Sequence, residues 1–355
     1  MKHVAVVGTV GLPACYGGFE SLIENLTNYN DAESGIKYTV YCSSKSYHQK
    51  KAYHNGADLV YMPFKANGIS SIFYDVFSLL HCIKIKADTI LILGVSGCIA
   101  LPIIRKITSA KIVTNIDGLE WRRDKWNYVA KRFLNFSEKM AVKYSDIIIS
   151  DNQAIADYVK SEYNVNSETI AYGGDHAVSV ISNEQESLLM KKENYALALC
   201  RIEPENNVET ILKAFSQTAM PLKFIGNWSS SHYGMYLKKV YSAFKNIEII
   251  EPIYDLSILK SIRQGCSVYI HGHSAGGTNP SLVEMMHFGK PIFCYDCSYN
   301  RATTEDKAVY FHDAEVLLNL INDFDFNNTS GLLMREIAQR RYVWRIINEQ
   351  YRALF

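Results

Sequence analysis

The run His271-Gly272-His273-Ser274-Ala275-Gly276-Gly277-Thr278-Asn279-Pro280-Ser281-Leu282-Val283-Glu284 joins residue types that hold an anion to one that holds a hydroxyl. Cys266-Ser267-Val268-Tyr269-Ile270 before it reads as a buried strand, and Pro280 suits a first helical position, where its missing N–H costs nothing. Gly276 and Gly277 let backbone amides approach a ligand closely, and Thr278 and Asn279 add side-chain hydrogen-bonding groups, so a phosphate fits this loop. Glu284 lies about one turn into the helix and can accept from sugar hydroxyls. A second candidate, Arg201, emerges where the strand Leu197-Ala198-Leu199-Cys200 ends. Its guanidinium either clamps a diphosphate, giving charge-assisted donors to a departing group, or pairs with Glu203 or Glu205 on the surface.

Short apolar runs alternate with amphipathic segments along the whole chain, which places these residues on a scaffold. Strands are expected near 3–9, 38–44, 58–64, 89–95, 111–117 and 146–151, then near 195–202, 222–227, 247–252, 266–272, 291–296 and 308–311. Helices fill the gaps. This βα repetition predicts an α/β protein of two doubly wound, Rossmann-like domains, with ligands at the carboxyl ends of parallel strands. The expected boundaries are a first domain over 1–175, a linker over 176–194, a second domain over 195–329, and one terminal helix over 330–355 packing across both. Two such domains facing across a cleft suit a two-substrate transfer, because closure expels water that would hydrolyse an activated donor.

Composition narrows the function. With 355 residues and 48% apolar content, either half can bury a full core. A net charge of +1 argues against nucleic acid held by bulk electrostatics. Eight scattered cysteines, mostly within apolar runs, indicate reduced thiols and a cytoplasmic setting; the one C-x-x-C pair, Cys294 and Cys297, lacks a second pair, so no metal site is expected. His3–Gly8 is too short for a signal segment, and Thr89–Ile104 falls short of a membrane span. Residues 101–145 hold ten basic against four acidic residues, interleaved with Trp121, Trp126, Tyr128, Phe133 and Phe136. That segment is either a docking site for an anionic membrane surface or a solvated basic helix with its aromatics packed inward.

Near the N-terminus, Gly17-Gly18 opens a helix and offers amides to a donor phosphate or sugar, while Tyr16 and Glu20 can contact acceptor or sugar hydroxyls. A dinucleotide-binding fold is the rival reading of this stretch, and the spacing of Gly8 and Gly11 departs from its G-x-G-x-x-G pattern. Asp117, at a strand end beside Gly118, either positions a hydroxyl or caps the following segment, and Glu120 is a second candidate.

Arg201 together with Gly276-Gly277-Thr278-Asn279-Pro280-Ser281-Leu282-Val283-Glu284 resembles the donor half of glycosyltransferase family 4, of GT-B architecture. Gly11-Leu12-Pro13-Ala14-Cys15-Tyr16-Gly17-Gly18-Phe19-Glu20, Asn115-Ile116-Asp117-Gly118-Leu119-Glu120-Trp121, Lys125-Trp126 and Ser137-Glu138-Lys139 are similar to its bacterial capsule and cell-wall polysaccharide members, rhamnosyltransferases in particular. The resemblance spans essentially the whole chain. It implies retaining, metal-independent transfer of a sugar from a nucleoside diphosphate sugar, dTDP- or UDP-linked, to a lipid-diphosphate-linked glycan, with no other cofactor. In that scheme Arg201 holds the diphosphate, Gly276 to Ser281 cradle it, Glu284 bonds the ribose, Asp117 lies near the donor sugar, and Tyr16, Glu20, Glu120 and Trp121 face the acceptor. Two positions depart from the family pattern: Asn206 stands where a diphosphate-binding lysine is expected, and Gly276 where the first glutamate of E-x7-E belongs. A sugar-nucleotide epimerase of the same architecture and a non-catalytic sugar-nucleotide-binding protein are the alternatives.

Overall fold

The computed structural model describes residues 1–15, 17–30, 35–122, 126–179, 194–325 and 329–355. They form two compact units, one comprising Met1–Tyr172 with Trp344–Phe355, the other Gly173–Val343.

In the first unit, strands β1 (Lys2–Val7), β2 (Ile36–Ser43), β3 (Tyr53–His54), β4 (Ala57–Met62), β5 (Thr89–Leu93), β6 (Lys111–Asn115), β7 (Ile147–Ser150) and β8 (Glu168–Thr169) form one sheet ordered β3-β4-β2-β1-β5-β6-β7-β8. All pairs are parallel except β3 with β4. Val4–Val7 and Ile90–Leu93 are buried throughout, as expected of parallel strands covered on both faces. The connecting helices are α1 (Gly18–Asn28), α2 (Ser70–Lys84), α3 (Leu101–Ile107), α4 (Tyr128–Tyr144) and α5 (Gln153–Tyr163). The chain runs from β1 to β2 on one side and later to β5 on the other, so the strand order reverses at β1 and opens a crevice at the carboxyl ends there.

The second unit begins with α6 (His176–Ser179) and continues β9 (Ala196–Leu199), α7 (Val208–Phe215), β10 (Leu222–Ile225), α8 (His232–Tyr241), β11 (Ile247–Ile250), α9 (Leu256–Gly265), β12 (Val268–His271), α10 (Pro280–Met286), β13 (Ile292–Tyr295), α11 (Ser298–Thr304), β14 (Val309–Phe311), α12 (Ala314–Asp323) and α13 (Ser330–Arg341). Its parallel sheet is ordered β11-β10-β9-β12-β13-β14, so its reversal lies between β9 and β12. Arg201 follows β9 and the glycine loop follows β12, which puts both at this switch point.

Three sequence expectations change. The terminal stretch is two helices, α13 and α14 (Trp344–Leu354), the second packed on α1 within the first unit. The break falls at Tyr342, whose carbonyl accepts from Gly174 N–H at 2.8 Å and His287 Nε2 at 2.9 Å, and whose hydroxyl donates to Thr303 O at 2.8 Å. Those bonds pull its backbone out of helical geometry. The spacing of Leu333, Ile337, Trp344, Ile347, Tyr351 and Leu354 predicts one buried stripe, yet Leu333 is 42% exposed, with Met334 buried in its stead. The linker is not all linker: 176–179 form α6, while 180–193 lie outside the described residues. Among the described residues all eight cysteines are free, and no helix is long and apolar enough to cross a membrane.

Candidate functional site

The strand tips at the second unit's switch point are tied together by their own polar groups. Asn206 is buried and donates through Nδ2 to Arg201 O at 2.7 Å, so the side chain in the expected lysine position holds its own loop. Ser274 N–H and Oγ both reach Glu205 O, at 3.0 and 2.8 Å, and Asn207 Nδ2 donates to Gly272 O at 2.8 Å. A side chain at Gly272 would collide with Asn206 O, which explains glycine there. The Tyr269 hydroxyl lies 3.2 Å from Leu199 O and 3.1 Å from Ser281 Oγ, linking the strand that delivers Arg201 to the first turn of α10.

This corner is partly open. Arg201 is 38% exposed with its guanidinium 3.7 Å from Glu203, an exposed and long pairing that contributes little and leaves other donors for a ligand. Gly276 takes a φ of 113°, a conformation glycine adopts freely, and Gly276 and Gly277 are half-buried, while Thr278 is buried. Asn279 caps α10: its Oδ1 accepts from Ser281 N–H at 3.0 Å and Ser281 Oγ at 2.7 Å, with Pro280 in the first turn. The Asn279 side chain and the Ser281 amide are therefore occupied by the helix itself. Burial holds the His271 imidazole down to about 3, so it is neutral, and its ring stacks on His273 at 4.4 Å.

Glu284 is not a bare carboxylate. Its Oε2 pairs with Arg263, and its Oε1 lies 3.2 Å from His176 Nε2. Burial works against ionisation, yet Arg263 and His176 overcome it and hold the carboxyl below its ordinary range. His176, Ala177, Leu256, Leu259, Arg263 and Glu284 line a cavity of about 100 Å³, and the buried Arg263 Nε has no partner among the described residues. Gly174 presses against α10, where an added Cβ would meet Val283 O at 2.6 Å, and this contact brings His176 to Glu284. Sequence reasoning missed both partners. Arg263 had a signal, since it stands one turn after the buried Leu259 on α9, where an apolar residue is the ordinary occupant.

In the first unit, Glu20 is 5% exposed and serves the loop it follows. Its Oε1 accepts from Val10 N–H at 2.7 Å and Thr9 Oγ1 at 2.9 Å, and Gly17, at a φ of 123° that favours glycine, lies against Oε2. Burial raises its carboxyl, with a smaller contribution from Asp117. Asp117 itself is half-buried after β6, with a left-handed φ of 60° and its N–H held by Asn115 Oδ1 at 3.1 Å. Strain of this kind in a non-glycine residue concentrates at functional sites. Trp121 Nε1 donates to the buried Glu138 at 3.1 Å, and Glu138 also accepts from Tyr158 and Tyr163 hydroxyls at 2.9 and 2.6 Å. Glu120 accepts from Trp126 Nε1 at 3.2 Å. These two acceptor-side candidates are thus engaged by their own unit; Gly17 and Gly18 stand at the start of α1, and Tyr16 lies outside the described residues.

Comparison with known proteins agrees with this architecture. Residues 1–175 match a family described as a domain of unknown function, DUF1972, and residues 180–327 match the family glycosyl transferases group 1. A search of curated proteins finds no match. Sucrose-phosphate synthase from Thermosynechococcus elongatus is 14% identical over 100% of this chain and 98% of its own, with a TM-score of 0.83. HepE of Anabaena, solved in complex with UDP, is 14% identical over 99% and 98%, with a TM-score of 0.72. The catalytic domain of starch synthase IV from Arabidopsis thaliana, bound to ADP and acarbose, is 11% identical over 99% and 98%, with a TM-score of 0.69. Residues 180–327 are thus similar to the glycosyl transferases group 1, and the chain has the two-domain α/β fold of these GT-B structures.

Proposed function

We propose that this chain is a retaining, metal-independent glycosyltransferase of family 4 that moves rhamnose from dTDP-rhamnose to a lipid-diphosphate-linked oligosaccharide in capsule or cell-wall glycan synthesis. Its setting is cytoplasmic, peripheral on the inner face of the cell membrane. The observation that carries the reading is the charged Glu284, its side chain 15% exposed, about one turn into the helix that follows the glycine loop and lining a cavity of about 100 Å³. A carboxylate has about four lone-pair sites, so Glu284 can hold Arg263 and His176 and still accept from ribose hydroxyls. Neighbours bound to UDP and to ADP support a nucleoside diphosphate as the ligand.

In this mechanism the bond from the anomeric carbon to the phosphate oxygen breaks and a bond to the acceptor oxygen forms. The acceptor proton passes to the departing diphosphate. Arg201 and the amides of the Gly276–Asn279 loop stabilise the charge that grows on the leaving group. Asp117 orients a hydroxyl, and Glu20 fixes the loop of Gly17 and Gly18. A non-catalytic binder is the second reading, favoured by Asn206, which spends its side chain on its own backbone.

The test is a thermal-shift screen of dTDP, UDP, ADP and their sugars, followed by acceptor-dependent release of nucleoside diphosphate. Arg201→Ala should lose about 2–4 kcal/mol of transition-state stabilisation with the fold intact. Near-native turnover in that variant refutes the assignment of the donor corner, and donor binding with no turnover across acceptors selects the second reading.

A further inference from the structure

The outer surface of α2, α3 and α4 in the first unit serves neither the core nor the sites above. These three helices are neighbours on one side of the sheet, because β4, β5, β6 and β7 follow one another in the same direction across it. The inner face of α2 is filled by Tyr74, Ser78, Leu79 and Cys82, all buried. Its opposite stripe repeats at helical spacing and is apolar, and although the Phe64 ring stacks on Phe77 at 5.2 Å, Phe73, Phe77 and Leu80 remain 56, 49 and 43% exposed. On α3, Ile103 and Ile107 are 67 and 54% exposed, and on α4 Phe136 is 49% exposed between Arg132 and Lys139. Exposed apolar side chains gathered on three neighbouring helices mark an interaction site.

Charge decides the partner. The two acids on these helices, Asp75 and Glu138, are both buried, so the exposed charge is positive: Lys84, Lys106, Arg132, Lys139 and Lys143. Arg105 is already paired with Asp146. A two-fold contact with a second copy would set these cations against themselves. We propose that this face docks on an anionic lipid bilayer, its cations at the headgroups and its Phe, Leu and Ile side chains entering the acyl boundary. The surface extends beyond the basic segment legible in the sequence, since the aromatic stripe of α2 precedes it. It gives a location to the peripheral association in the function proposed above, on which it rests. The test reads binding alone, so failure of glycosyl transfer and failure of docking are distinguishable.

The full chain is sedimented with vesicles of phosphatidylglycerol and phosphatidylcholine in equal parts, and with phosphatidylcholine alone. Binding is expected on the anionic vesicles and should weaken steeply in about 1 M salt, where the Debye length is about 3 Å. Lys139→Ala should lower partitioning about fivefold. Phe73→Ser with Phe77→Ser should lower it on the order of a hundredfold, with the nucleotide-induced thermal shift unchanged. Ile103→Ser with Ile107→Ser repeats the test from a different helix. The proposal is overturned by absence of binding to anionic vesicles at low salt, or by equal binding to phosphatidylcholine. A dimer of the purified chain that Phe73→Ser dissolves also overturns it, assigning the face to a second copy.

Discussion

Arg263→Met tests what keeps Glu284 charged and in place. The two side chains are 6 and 15% exposed, so removing the guanidinium leaves a buried carboxylate whose remaining charge partner is the His176 imidazole. Breaking a buried pair from one side costs about 3–5 kcal/mol; His176 offsets part of that, so a loss of about 3 kcal/mol is expected. Combining Arg263→Met with Glu284→Gln removes the stranded charge and should recover most of it. The measurement is urea unfolding followed by the fluorescence of Trp228, the single tryptophan between Gly173 and Val343. The pH dependence has a definite sign. In the native chain the Glu284 carboxyl lies below its ordinary 4.5, so its contribution is fully present above that pH and is lost as pH falls through the folded value. In Arg263→Met burial prevails and raises the carboxyl, so the slope inverts and stability falls as pH rises through the acid range. Unfolding within about 1 kcal/mol of the native chain, with the same pH profile, would refute the claim that Arg263 holds Glu284.

Asp75 offers a second pH test: burial, opposed by Ser96 and the Gly97 backbone, pushes its carboxyl up from 3.8 to about 7. The stability gained by its proton is full below about pH 3.8 and lost as pH rises through about 7. At pH 8 Asp75→Asn should therefore be more stable than the native chain by on the order of 4 kcal/mol and flat between those values, whereas a retained slope would exclude Asp75 as its source. Asp117→Gly should relieve the left-handed φ of 60° and gain about 1 kcal/mol in melting experiments while depressing glycosyl transfer. Unchanged transfer would leave Asp117 with no part in the reaction.

What the sequence discloses is what a local pattern can carry. The alternation of apolar runs and amphipathic segments locates both parallel sheets, because burial on both faces of a strand is written into the strand itself. The two-residue strands β3 and β8 carry no such record, since they exist only through β4 and β7. Tyr342 likewise interrupts a helical pattern for reasons held by Gly174, His287 and Thr303, remote in the chain.

Glu20 and Glu284 show where local pattern ends. Each is an acid in a helix entered from a glycine pair, and each reads as a contact for a sugar hydroxyl. The fold separates them by what it lays over the carboxylate. Glu20 receives its own loop, two neutral donors and, among the described residues, no cation, so burial dominates and the carboxyl rises. Glu284 receives Arg263 from α9 and His176 from α6, and the carboxyl falls although burial opposes its charge too. Spacing fixes the helix face an acid occupies; the charge of whatever crosses that face comes from distant segments. Glu20 therefore acts through its loop, while Glu284 is held charged with its side chain 15% exposed, the state that accepts most strongly from a neutral hydroxyl.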